Sequence, residues 1–322
     1  MGIQQYGRKA SLIIGKNDGP ALDLSELRVK FDIKRGDLQT PNSGRFRVYN
    51  VSETTRLRIE KEFTRVVFQG GYQGNYGILF DGYIKQVRRG RESQTDTYLD
   101  ITAADGDSAY NFAVVNTTLA AGSTSSDHVA AAVQAMNPFG VTQGYVPTLP
   151  ANGLPRGKVM FGMARDFMRS VAKTTQTVWS IQDGKAILVP ETSYMPGDIP
   201  VITVETGMVG LPVQTQNGIT IKMLLNPNVK ISQLIKIDND SVQRYEYSLN
   251  VLQQAENQRI QHQAKLQDDG FYYVMAAEHS GDTWGNDWYT ETICLAADAT
   301  VLPNQFVNRG DVPPDGVIKK FG

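Results

Sequence analysis

The chain has 322 residues, with 32 Lys plus Arg against 33 Asp plus Glu, so no global field favours nucleic acid or an anionic membrane. A single cysteine, Cys294, excludes an intrachain disulfide framework and any multi-Cys metal site, and three histidines argue against a His-rich one. No apolar run approaches the ~20 residues of a membrane span, and the N-terminus lacks the apolar core of a signal peptide. The expected compartment is therefore the cytoplasm, and the length suggests two or three domains of about 100–200 residues.

Residues 27–33 alternate strictly. Leu27, Val29, Phe31 and Ile33 share one face, while Arg28, Lys30 and Asp32 share the other, which predicts a half-buried strand. The turn cluster at 40–44 leads to a second strand over 45–50, with Phe46 and Val48 inward. Ser52 opens a short helix over 53–63: its hydroxyl can cap free N–H groups, and Glu53 suits the positive end of the helix dipole. Val51 is placed to pack on it as a staple. Residues 65–69, 78–87 and 97–103 predict three more strands with hairpin-length gaps. The expectation is an antiparallel sheet, a small barrel or sandwich, filling a first domain over 1–107.

Residues 111–125 read as a poorly patterned link. Ser126 is expected to cap a helix over 127–136, on which Val129, Ala132, Val133 and Met136 form an apolar stripe; Asn137-Pro138 ends it. Residues 141–155, rich in Gly and Pro, read as loop. A second helix is expected over about 161–174, with Ala164, Phe167, Met168 and Val171 on one stripe. Residues 178–190 predict a hairpin turning at Asp183-Gly184, the favoured type I′ pair. Together these make a small α+β middle domain over 108–205.

Residues 219–225 and 233–238 read as strands about the turn Asn226-Pro227-Asn228. Residues 240–269 are polar and Gln-rich; composition does not choose between an exposed helix, an interface segment and a flexible insertion. Residues 271–277 and 288–295 flank a Gly-, Asp- and Asn-rich stretch, 279–287, predicting a hairpin with a long loop. On its outgoing arm Trp288, Thr290, Thr292 and Cys294 point one way and Tyr289, Glu291, Ile293 and Leu295 the other. Bulky groups on both faces predict cover on both sides, by a core and by a partner chain. The last domain is expected over 206–322, with an extended tail from 303.

Candidate chemistry is sparse. His279 with Asp282 and Asp287 has metal-site or acid–base residue types, but turn geometry already accounts for them. Asp105-Gly106-Asp107 begins like a calcium loop, yet the Glu at the last position is missing, so a turn and an N-cap are expected. Glu60 and Glu62, as paired carboxylates for glycoside cleavage, fall on a solvated helix face. The Gly-rich run 70–74 lacks the Lys-Ser/Thr of a phosphate loop and reads as a hairpin tip. Lys85, Arg88, Arg89 and Arg91 can be read as a DNA contact inside a ring, or more simply as a solvated strand end or salt-bridged rim. Trp284, Trp288 and Tyr289 can be read as a sugar platform, but core or subunit interface is expected. Neither a G-x-S-x-G nor an H-E-x-x-H motif occurs. No catalytic, cofactor-binding or metal residue is assigned, and a non-enzymatic role is expected.

Six segments in order resemble the baseplate hub proteins of contractile-tailed bacteriophages, the tail hub or late-control family, to which the hubs of type VI secretion spikes are related. They are TPNSGRFRVYNVSETTRLRI (40–59), LFDGYIKQV (79–87), LDITAADGDSAYN (99–111), VWSIQDGKAILVP (178–190), TGMVGLPVQTQNGITIKMLLNPNVKISQLIKID (206–238) and GFYYVMAAEHSGDTWGNDWYT (270–290). The 240–269 stretch is longer than the connection usual in that family. The resemblance implies a mainly β chain with an α+β middle domain and two tail-tube-like antiparallel β-barrel or sandwich domains. It implies a homotrimer closing into a pseudo-sixfold ring, with a tail-tube or tube-initiator ring above and a spike below. Other baseplate proteins and the tape measure are implied neighbours, and genomic DNA is implied only in passage through the channel. The implied location is the virion tail baseplate, after assembly in the host cytoplasm. A tail-associated cell-wall hydrolase and a host-surface binding module are the alternatives.

Overall fold

The computed structural model describes residues 6–16, 19–191, 193–215, 218–237 and 270–296. The readings made for 240–269 and for the tail from 303 lie outside the described residues. The chain is mainly β, with an α+β section in the middle.

The first region contains β1 (Arg8–Gly15), β2 (Ala21–Asp23), β3 (Val29–Gly36), β4 (Ser43–Tyr49), α1 (Glu53–Lys61), β5 (Arg65–Tyr72), β6 (Asn75–Arg91) and β7 (Thr97–Ala104). The alternation read in β3 is realised: Val29, Phe31 and Ile33 are buried, while Lys30 and Asp32 are half-buried. Ser52 caps α1, its Oγ accepting the Thr55 N–H at 3.2 Å. Gly70 and Gly71 lie inside β5 rather than at a tip, and the chain reverses between Tyr72 and Asn75. At Gly71, φ is +147° and a Cβ would fall 2.1 Å from the Asn75 carbonyl oxygen, so only glycine allows the reversal.

These strands pair antiparallel in the order β2-β1-β5-β6-β7-β4-β3. The sheet is rolled. β3 and β5 are four ladder steps apart, roughly 19 Å across a flat sheet. Yet the rings of Phe31 and Phe68 have centroids 4.5 Å apart. Phe46 and Phe80 extend the same aromatic core.

The middle region contains α2 (Asp107–Phe112), β8 (Val114–Leu119), α3 (Ser125–Met136), β9 (Thr142–Gln143), β10 (Lys158–Met163), α4 (Ala164–Thr175), β11 (Thr177–Gln182) and β12 (Lys185–Pro190). Two expectations are corrected here. α4 starts at Ala164, because the residues before it form β10, paired with β8 in what had read as a link. α3 is capped by Thr124 rather than Ser126, since the Asp127 carboxylate accepts the Thr124 N–H at 2.7 Å in a capping box. The two helical stripes share one core, which holds Val129, Val133 and Met136 with Met168, Val171 and Trp179. Asp183 and Gly184 have φ of 51° and 70°, as a type I′ turn requires.

The last region contains β13 (Val201–Ile202), β14 (Val213–Thr215), β15 (Gly218–Leu224), β16 (Leu234–Ile237), β17 (Phe271–Asp282) and β18 (Trp288–Ala296). β17 is longer than the sequence suggested and carries His279 as a strand residue, so the hairpin loop is short. The extra length pairs with β3, from Ala276↔Gly36 to Asp282↔Lys30. β16 takes the start of the same edge of β17. This pairing fuses both strand-rich regions into one ladder running from β14 through β15, β18, β17 and β3 to β2. The expected barrel or sandwich is met as far as a rolled antiparallel sheet: among the described residues the ladder does not close into a barrel. The reason is that β3 gives its second edge to β17, leaving no edge for a strand of its own region to close the roll. β18 buries Trp288, Thr290, Thr292 and Cys294 on the predicted face. Trp288 belongs to the aromatic core and Cys294 to a separate Ile- and Met-rich core.

Candidate functional site

The three regions meet at the Asp183–Gly184 turn. Arg35 continues the inward phase of Val29, Phe31 and Ile33 on β3, so a guanidinium is buried where the pattern calls for an apolar group. It donates to Asp183 Oδ2 at 2.9 Å, to Gln182 Oε1 at 3.3 Å and to the Leu79 carbonyl at 3.3 Å. Asn42 Nδ2 donates to Gln182 Oε1 at 2.8 Å and to the Ile181 carbonyl at 3.2 Å. Gln182 Nε2 donates back to the Gly36 carbonyl at 2.8 Å. Asp105 Oδ1 accepts the Gly184 N–H at 2.9 Å. From the last region, Lys230 donates to the Ile78 carbonyl at 3.4 Å and stands 4.0 Å from Asp183.

Nearly every polar bond here crosses between regions, so the network fixes their relative orientation and not merely their contact. Its electrostatics follow from burial. Burial, helped by the Asp183 charge, pushes the Asp105 carboxyl up to about 6. Burial, then the Arg35 charge, lowers Lys230. Burial, then Arg35 and Lys230, lowers His279 to about 3, so His279 is neutral. Burial leads in all three cases, and beyond it charges of both signs act here: Arg35 lowers Lys230 and His279, while Asp183 raises Asp105 and Lys230.

The residues singled out in the sequence do not converge. The His279 ring lies inside β17 with Nδ1 2.8 Å from Thr290 Oγ1. Asp282 lies three residues along the strand, on the opposite face, and is paired with Arg28 at 2.7 Å. Asp287 is exposed. No group of three or more His, Cys, Asp or Glu side chains placed to hold a metal occurs among the described residues. Asp105 turns to the junction, whereas Asp107 pairs with Lys85. Glu60 pairs with Arg56 at 2.6 Å, and Glu62 lies 3.9 Å from Arg58. Arg88, Arg89 and Arg91 are exposed or nearly so along the far part of β6. Trp284 is 73% exposed but Trp288 only 1%, so the two cannot share a sugar platform. Tyr289 is half-buried, with the Lys222 ammonium 4.5 Å above its ring.

Sequence reading missed Arg35, Asn42, Gln182 and Lys230. The available signal was Arg35 itself, a charge at an inward position of an alternating strand. The other three are single polar residues with no spacing signature. Two apolar surfaces also face outward. Val159 and Phe161 project from β10, with Val114 on β8 and Phe112 beside them in the chain. Val213 on the sheet-end strand β14 and Leu211 just before it in the chain are the second.

No protein-family model matches the chain, and a search of curated protein sequences gives no match. Solved structures do match. The 43 kDa tail protein of prophage MuSo2 from Shewanella oneidensis aligns with a TM-score of 0.56 at 10% identity, over 92% of this chain and 100% of that one. A tail protein from Neisseria meningitidis MC58 aligns with a TM-score of 0.54 at 12% identity, over 90% of this chain and 96% of that one. The E. coli c3393 protein, a type VI secretion component described as similar to the T4 bacteriophage tail proteins gp27 and gp5, aligns with a TM-score of 0.51 at 9% identity. That match covers 88% of this chain and 76% of the other. The chain has the fold of phage tail proteins. The same fold serves a type VI secretion component, in agreement with the resemblance to baseplate hubs and secretion-spike hubs drawn from the sequence.

Proposed function

We propose that the chain is a structural subunit of a phage tail baseplate, a hub joining the tail tube to the central spike. The observation that carries this is the likeness along the whole molecule: the match to the prophage tail protein spans 92% of this chain and all of that one. Three copies, each with two strand-rich regions, would set six such regions around one axis, so a sixfold tube meets a threefold spike. Both ends of the ladder, β14 and β2, leave backbone N–H and C=O groups to be covered, and a neighbouring copy covers them best. The cross-region network at Arg35 suits a part that transmits force without changing shape.

In this reading the partners are a tube or tube-initiator ring above, a spike below, and other baseplate proteins and the tape measure around them. DNA only passes through the channel. The role in this reading is geometric rather than enzymatic. No helix among the described residues is long and apolar enough to cross a membrane. The proposed location is the virion tail baseplate, after assembly in the host cytoplasm. Light scattering of the purified chain at micromolar concentration is expected to give three times the 35.6 kDa chain mass. Images of the same sample should show threefold rings. A monodisperse monomer, together with no ring containing this chain in an assembled tail, would overturn the proposal.

A further inference from the structure

Beside the Arg35 network lies a crevice of about 500 Å³ between the middle and last regions. Binding sites favour such seams and volumes of roughly 300–1,000 Å³. Its charge is unbalanced. Arg35, Lys185 and Lys230 line it, and among the described lining residues Asp183 is the only acid. Asp183 is already held by Arg35 at 2.9 Å, whereas Lys230 reaches it only at 4.0 Å. Lys185 is exposed and makes no ion pair among the described residues. Lys185 and Lys230 therefore line the crevice with a single carboxylate, Asp183, that Arg35 already engages.

The crevice also borders one unpaired backbone residue of the two-residue strand β9, Gln143; the Tyr145 carbonyl beyond it already accepts the Leu188 N–H at 2.8 Å. β9 pairs only with β12 and ends its small sheet. The N–H groups of Thr142 and Gly144 donate to the Gly184 and Ala186 carbonyls of that neighbour. By the alternation of a ladder, Gln143 between them turns its N–H and C=O away from β12. Gln143, Gly144 and Tyr145 all line the crevice. An unpaired edge accepts an extended peptide, whose backbone supplies both donors and acceptors. A nucleic-acid backbone supplies no donor for the Gln143 carbonyl, and a small anion would leave that carbonyl and most of the volume unused.

We propose that this crevice binds an extended acidic segment of a partner protein, with carboxylates on Lys230 and Lys185 and backbone pairing at Gln143. The site does not depend on the hub reading, since neither trimerisation nor a spike enters it. In an extended segment, acids at alternate positions fall on one side, which is the spacing such a surface reads.

The test is a titration of the full chain with the blocked peptide Ac-Glu-Val-Glu-Val-Glu-NH2, followed by calorimetry. Saturable binding that weakens with added salt is expected. The Gln-Val-Gln-Val-Gln counterpart should bind at least about tenfold more weakly, as should the acidic peptide to the double variant Lys185→Gln/Lys230→Gln. Lys185→Gln alone changes an exposed residue, so it keeps the test decisive if the double variant fails to fold; a loss of about threefold is expected from it. N-methylation of the central Glu should also weaken binding. No binding, equal binding of the Gln peptide, or an unchanged affinity for Lys185→Gln overturns the proposal. Displacement of the peptide by equimolar inorganic phosphate overturns it too, in favour of a small-anion site.

Discussion

The first and last strand-rich regions bury their sheets differently. The first gathers Phe31, Phe46, Phe68 and Phe80 into a roll of strands that follow closely in the chain. The last packs Ile221, Met223, Ile235, Val274 and Cys294, drawn from strands on either side of the Gln-rich stretch. The first is nonetheless the dependent one. Trp288, from the last region, stands edge-on to Phe31 at 5.1 Å and donates to the Gly71 carbonyl at 3.3 Å. Arg8 closes over the same ring at 5.8 Å and bonds the Gly285 and Asn286 carbonyls of the hairpin loop. Each region drawn along the chain keeps a core of its own, but the first completes its core with Leu225 and Trp288 of the last.

The largest test of that contrast is Trp288→Ala. It removes a fully buried indole from the aromatic core, at about 3–5 kcal/mol. Denaturant unfolding is expected to stay a single transition at a lower midpoint. Two resolved transitions would show that the regions are independent after all.

Next is Arg35→Ala, which strips Asp183 and Gln182 of a shared donor. The loss should be about 2–4 kcal/mol, less than for a fully buried pair because Asp183 keeps some solvent. A loss no larger than that of an exposed pair would mean that the regions are held mainly by the β3–β17 ladder.

Asp105→Asn sharpens the picture through pH. The Asp105 carboxyl titrates near 6 in the fold against 3.8 in the open chain. Between those values the folded chain keeps a proton that the unfolded chain has released. Stability from this group therefore falls as pH rises from about 4 to about 6 and stays lower above. Asparagine keeps an acceptor for the Gly184 N–H and removes the titration, so about 1–3 kcal/mol of that pH-dependent fall should vanish. His279 acts in the opposite sense. Its neutral form is the folded one, so stability is lost as pH drops from 6.5 towards 3. The Asp105→Asn variant should then show a steeper acid loss than the parent in urea midpoints measured across that window.

The smallest effect belongs to Trp284→Ala. This ring, four residues from Trp288, is 73% exposed, and its removal should change stability by less than about 0.5 kcal/mol. A large loss in the isolated chain would contradict the assignment of Trp288 as the single indole that links the regions.

Much of this was legible because the signals were local. The β3 alternation, the Ser52 cap, the Asp183-Gly184 turn and the faces of β18 each depend on residues a few positions apart. β10 was missed because its six residues run straight into the apolar stripe of α4, and a short alternation is hard to tell from a helix start. At 124–127 the run Thr-Ser-Ser-Asp offers several caps, and reciprocity with Asp127 selects Thr124. The junction site was hidden for a different reason: Arg35, Asn42, Gln182 and Lys230 meet only after three regions have packed.

The amino-acid sequence by itself determined many of the strands and helices and which of their faces turn inward, because side-chain periodicity and capping chemistry act within a few residues. Only the tertiary structure decided that β17 lies along β3 and leaves the roll open. Backbone edges all carry the same N–H and C=O groups, so sequence cannot label them. The choice falls to distant side chains: Gly281, where a Cβ would meet both Phe31 and Trp288 at 2.7 Å, lets the two strands close on one shared core.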